Sequence, residues 1–156
     1  MLLLSSGRRA FSCNVPMIAE KTFAEIREGD AAQFEIVIDE MLVKKFSELS
    51  GDTNPLHMDA EFAQGTPIGE CVAHGMLGGA LFSRLVGMHL PGKHCLYLSQ
   101  SLFFRKPMRI PVTLIVSGIV SQKIEALHTL KIATVITDVK TNDILTDGEA
   151  MVKVLV

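Results

Sequence analysis

The run His74-Gly75-Met76-Leu77-Gly78-Gly79-Ala80-Leu81-Phe82-Ser83-Arg84-Leu85-Val86-Gly87-Met88-His89-Leu90 decides the fold. From Gly75 to Leu90 apolar residues fall on almost every face of a helix, the pattern of a helix buried all round. At 1.5 Å per residue it would extend roughly 20 Å. Gly75, Gly78, Gly79 and Gly87 each cost such a helix about 1 kcal/mol relative to Ala. They make sense where sheet backbone or a ligand lies too close for a Cβ. Pro91-Gly92 ends the helix, and Arg84 keeps the apolar run below the length of a membrane span.

What could bury such a helix comes after it. Leu96 to Phe104, Val112 to Gln122, Leu127 to Lys140 and Ile144 to Val156 read as strands, with polar turns between them, Asn142-Asp143 being the clearest. Long strands on short connections form an antiparallel sheet. Upstream, Phe34, Ile36 and Ile38 alternate across Gln33 to Ile38 and add another strand, for about five in all. One apolar helix and such a sheet predict an α+β domain in which the sheet wraps the helix.

Between the first strand and the helix lies Gly51-Asp52-Thr53-Asn54-Pro55-Leu56-His57. Asp39 is placed to cap a helix carrying Leu42, Phe46 and Leu49, and Gly51 to end it. Asn54-Pro55 is a turn dipeptide, in which Pro55 fixes its own φ and pushes Asn54 away from helical angles. A loop this stiff can aim a carboxylate and an imidazole at one point, as acid/base chemistry requires. Taken alone, the motif is equally a helix end followed by an Asx turn. Asp59 is expected to cap a short helix through Gln64, closed by Gly65.

The chain has 156 residues, enough for one domain with a real core. Hydrophobic residues are 48% of it, which excludes intrinsic disorder. A net charge of −2, the absence of Trp and a single Tyr argue against a nucleic-acid binder. Cys13, Cys71 and Cys95 have no metal-like spacing and no two histidines sit four apart on a helix, so neither metal nor cofactor is expected. The three cysteines read as reduced thiols, Cys71 as a buried structural one. Met1 to Ala19 contains no acid and carries Leu2-Leu3-Leu4 ahead of Arg8-Arg9, the order of a mitochondrial transit peptide; a disordered tail is the other reading. The domain itself is expected over 20–156. Met17 offers an internal start.

Phe46, Leu49-Ser50-Gly51-Asp52-Thr53-Asn54-Pro55-Leu56-His57 and Ala73-His74-Gly75-Met76 together resemble the MaoC-like, or hydratase 2, branch of hot-dog-fold proteins. Leu98 to Phe104 and Lys106-Pro107 look like the family's strand after the central helix. The resemblance covers roughly Phe23 to Val156. It implies an (R)-specific lyase that interconverts 3-hydroxyacyl and trans-2-enoyl thioesters. The family's catalytic pair falls on Asp52 and His57, and its backbone donor to the thioester oxygen on Gly75. A supporting serine of some bacterial members falls on Ser83; Asn54 and His74 are further supporting positions, His74 orienting the loop or capping the helix. One departure is Pro107-Met108-Arg109-Ile110-Pro111, where members often carry a Gly-Asp pair. The implied substrate is an acyl thioester on acyl carrier protein or coenzyme A, and the implied assembly a homodimer. A hot-dog thioesterase and a non-catalytic acyl-binding subunit are the alternatives.

Overall fold

Strand β1 (Ala31–Ile38) buries Phe34 and Ile38 on one face, and Asp39 then turns the chain into helix α1 (Glu40–Ser50). The computed structural model describes residues 17–156. Asp39 Oδ1 accepts from the Leu42 N–H at 2.8 Å, the N-cap bond expected of it. Gly51 closes α1 in the left-handed region, φ 77°, where glycine alone pays no Cβ penalty. Its N–H reaches the Ser47 carbonyl at 2.9 Å. Two short helices follow, α2 (Pro55–Met58) with Pro55 in its first turn and α3 (Ala60–Gln64). Asp59 Oδ1 caps α3 by accepting from the N–H groups of Glu61 and Phe62, both at 3.0 Å.

Helix α4 (Gly75–Arg84) passes without a break into a five-residue π-helical segment, Leu85–His89. The wider turn shows in the Leu90 N–H, which donates to Leu85 O at 3.0 Å, five residues back. That turn also hands the helix from one half of the core to the other. Leu77, Leu81, Phe82 and Leu85 pack with Phe34, Leu114 and Ile136. Val86 and Leu90 pack with Phe23, Ile26, Leu130 and Val152.

The sheet is antiparallel throughout. It comprises β1, β2 (Cys95–Gln100), β3 (Phe103–Phe104), β4 (Val112–Ile124), β5 (Thr129–Asp138) and β6 (Ile144–Val154). Its order is β1-β4-β5-β6-β2, with β3 also on β6, so β1 lies at one edge and β2 with β3 at the other. Among the described residues six strands stand where about five were expected, because the predicted strand Leu96 to Phe104 is broken. The Ser101 carbonyl bends over Gly148 of β6, where any Cβ would overlap it. Ser101 holds that bend with its N–H on Glu149 O at 3.0 Å and its hydroxyl accepting the Glu149 N–H at 2.9 Å.

The expectation of a central helix buried all round is corrected. The sheet covers the side of α4 bearing Leu77, Gly78, Leu81 and Phe82, while Met76, Ala80 and Ser83 lie on an exposed stripe. Met76 is 58% exposed. The sheet curls around α4 but ends at the short β2–β3 edge, leaving that stripe open. The transit-peptide expectation falls on 1–19, of which only 17–19 are described. Ala19 already docks: its N–H donates to Met88 O at 2.9 Å, and its carbonyl accepts from Lys93 N at 2.8 Å. No helix among the described residues is long and apolar enough to cross a membrane.

Candidate active site

The end of α1, the start of α2 and the start of α4 meet at one place, bringing Asp52, His57 and His74 together. Their ligand-capable atoms all lie within 4.8 Å of one another. The His57 and His74 rings are 3.9 Å apart at their centroids, and Phe46 packs on His74 from 5.1 Å.

Each side chain is held by main chain. The Asp52 N–H donates to Ser50 Oγ at 3.2 Å, and Asp52 Oδ1 accepts from the Asn54 N–H at 3.1 Å. Asn54 Oδ1 in turn accepts from the Leu56 N–H at 2.9 Å, starting α2. The Asp52 carboxylate is 53% exposed and 3.9 Å from His74 Nε2. His57 Nδ1 lies 2.7 Å from the Val72 carbonyl. A carbonyl only accepts, so Nδ1 carries the proton and Nε2 presents its lone pair in the neutral ring. His74 Nε2 likewise donates to the Asp52 carbonyl at 2.9 Å. The cluster has the size of a cation site, but each ring has one nitrogen committed to a carbonyl.

His74 occupies the N-cap position of α4 without a side-chain capping bond, because its ring is turned to Asp52 instead. The first-turn N–H groups of a helix have no acceptors within it. The Leu77 N–H turns back to His74 O at 3.1 Å, while Gly75 and Met76 ahead of it line a cavity of about 390 Å³ with Phe104, Pro107 and Thr146. Gly75 lies close under Phe104: a Cβ there would come 2.9 Å from Phe104 Cε1, so the ring would have to shift. Arg105 and Lys106 stand at the rim with their charges paired, Arg105 to Asp147 and Lys106 to Asp143. Ser83, more than two turns further along α4, is exposed on the open stripe.

Cys71 shares a second cavity of about 260 Å³ with His57 and Lys44. Burial first, then the carboxylates of Asp59 and Glu40, push its thiol above the ordinary cysteine range. That is the opposite of an activated thiolate. Two features escaped the sequence. Ser47, fully buried, donates its hydroxyl to the Asp52 carbonyl at 2.7 Å. Its only sequence signal is a polar residue on the buried stripe of an amphipathic helix, one turn after Val43. Thr146, also buried, brings a hydroxyl without a hydrogen-bond partner to the cavity wall.

Residues 23–142 match the family model for the MaoC-like domain. Over 105 residues the chain is 39% identical to an (R)-specific enoyl-CoA hydratase of Rhodospirillum rubrum, covering 65% of this chain and 73% of that one. Over 135 residues it is 32% identical to a mitochondrial 3-hydroxyacyl-[acyl-carrier-protein] dehydratase of Arabidopsis thaliana, covering 85% and 79%. The fold superposes on an unliganded R-hydratase from Pseudomonas aeruginosa with a TM-score of 0.81 at 34% identity, over 85% of this chain and 84% of that one.

Proposed function

Because the chain belongs to the MaoC-like domain family, we propose that it dehydrates (3R)-3-hydroxyacyl thioesters to trans-2-enoyl thioesters and catalyses the reverse hydration. It is a hydro-lyase. The observation that carries the reading is the cluster itself: a carboxylate and an imidazole, each tied to main chain, beside the uncapped start of α4.

The chemistry sets three demands. A weakly acidic proton must leave C2, the C3 hydroxyl must depart as water, and the charge developing on the thioester oxygen needs a fixed donor. The Gly75 N–H, at the positive end of α4, is suited to the third. Losing such a donor typically costs about 3 kcal/mol of barrier stabilisation. Asp52 and His57 hold the departing hydroxyl, or the attacking water, between them. One takes the C2 proton while the other delivers a proton to the hydroxyl, and the C2–C3 double bond forms. On His57 the working atom is Nε2, since Nδ1 is committed to Val72. Asn54 serves by shaping the loop.

Mixing the protein with a trans-2-enoyl thioester tests the reading. The conjugated double bond should disappear without release of free thiol. Thiol release would instead mark a thioesterase, and binding without turnover an acyl-binding subunit.

The finer reading is a role in mitochondrial fatty-acid synthesis on carrier-protein substrates. The Arabidopsis relative supports it, as does the acid-free segment 1–19, read as a transit peptide ahead of a domain over 20–156. Activity profiles against both carriers across acyl lengths test the substrate. A reporter fused to 1–19 tests the address. We also take the active form to be a homodimer. The open stripe of α4 and the edge bearing Leu96, Leu98, Phe103 and Phe104, all about half exposed, support a second copy at this edge.

A further inference from the structure

Helix α1 buries two residues fully, Val43 and, one turn on, Ser47. An apolar side chain at 47 would simply continue the stripe. A buried hydroxyl needs a partner, and on a helix the usual one is the carbonyl one turn back. Ser47 turns forward instead, to the Asp52 carbonyl, five residues on. The same oxygen accepts from His74 Nε2, twenty-two residues on. Both donors are 2% exposed, and together they occupy both lone pairs of that carbonyl.

This matters because Asp52 follows Gly51, a left-handed glycine with no Cβ to restrain the peptide that joins them. The Asp52 carboxylate is half in water and accepts a single main-chain bond. Its direction is therefore set by the main chain beneath it. We infer that Ser47 and His74 are positioning residues that act through Asp52, fixing its carbonyl so that its carboxylate points at the reacting hydroxyl. His74, whose ring lies 3.9 Å from that of His57 and tilted 33° to it, registers the second member of the pair against the first. The inference rests on the assignment of Asp52 to proton transfer.

Ser47→Ala in the full chain, assayed by hydration of a short trans-2-enoyl-CoA, should lower kcat at least about tenfold with KM within about twofold, since small misplacements of a reacting group act on turnover. Ser47→Thr, which keeps the hydroxyl, should recover most of the loss. In an Asp52→Asn background, Ser47→Ala should change the residual rate less than about twofold, because residues acting as a unit are not additive. His74→Gln, which keeps a donor near Nε2, should retain more turnover than His74→Phe, which keeps only the ring. Urea midpoints separate folding from positioning. Wild-type kcat in Ser47→Ala, or the same fractional loss in the Asp52→Asn background, overturns the inference. Full turnover in Asp52→Asn alone overturns the underlying reading instead.

Discussion

Asp52 and His57 are individually weak as sequence signals; in the fold they come together, Asp52 Oδ1 accepting one main-chain bond and His57 Nδ1 committed to the Val72 carbonyl. Asp52→Asn and His57→Ala should each lower turnover by about 10²- to 10⁴-fold, the range of a positioned acid or base. The double variant should be little slower than either single. Loss of enoyl absorbance reports the rate, and circular dichroism shows whether the fold survives. Either single variant at near-normal turnover would remove that residue from the mechanism. Cys71 gives a pH prediction. Its thiol is raised by burial and by Asp59 and Glu40, so the thiolate fraction at neutral pH is lower than in an unstructured peptide. Alkylation by iodoacetamide at pH 7 should be slower than that of a free cysteine and accelerate as the pH climbs through the raised value; rapid labelling at pH 7 would contradict this. The pair was legible in the sequence because Gly51, Asn54 and Pro55 are turn residues with local reasons. Ser47 was not, since its bond closes across the reversal at Gly51 and depends on where that turn sends the chain.

At the scale of elements, local chemistry was read well and close approach was not. Asp39, Gly51 and Asp59 act at helix ends within a few residues of themselves, so the sequence contains their whole argument. The break between β2 and β3 depends on Gly148, a residue on another strand, and the π-helical turn at Leu85–His89 contains Gly87, but a lone glycine in a helical run does not specify a wider turn. Glycine substitutions separate the two kinds of contact. A Cβ at Gly148 meets the Ser101 carbonyl, a main-chain atom that cannot rotate away. A Cβ at Gly118 meets Leu85 Cδ2 at 2.8 Å and Ile132 Cγ2 at 3.0 Å, both side-chain atoms. Gly148→Ala should cost about 3 kcal/mol and Gly118→Ala about 1 kcal/mol, the upper and lower ends of overpacking costs. Urea unfolding measures both, and equal losses would refute the distinction.

For the whole molecule, an apolar helix with one open stripe beside an apolar sheet edge is an incomplete surface. Light scattering should give twice the 17.0 kDa chain mass. Leu98→Arg, at the exposed β2 edge, should yield a monomer of native secondary structure with little activity; a fully active monomer would end the dimer reading. The α+β class was legible because each long strand carries its own pattern. The open stripe was not, since periodicity records that a face is apolar but not which chain covers it. The strand pairing has a consequence for how the protein is made. Among the described residues, β1 pairs only with β4, and β2 and β3 only with β6. No described strand that precedes Val112 pairs with another described strand that precedes it. While the nascent chain is that short, α4 and its leucines emerge with no sheet to cover them, the kind of exposed apolar segment on which chaperones act. A ribosome stalled at Pro111 would hold Asp52, His57, His74 and Gly75 together with the partners that bond them, but without β4, β5 and β6, the long strands on which α4 packs.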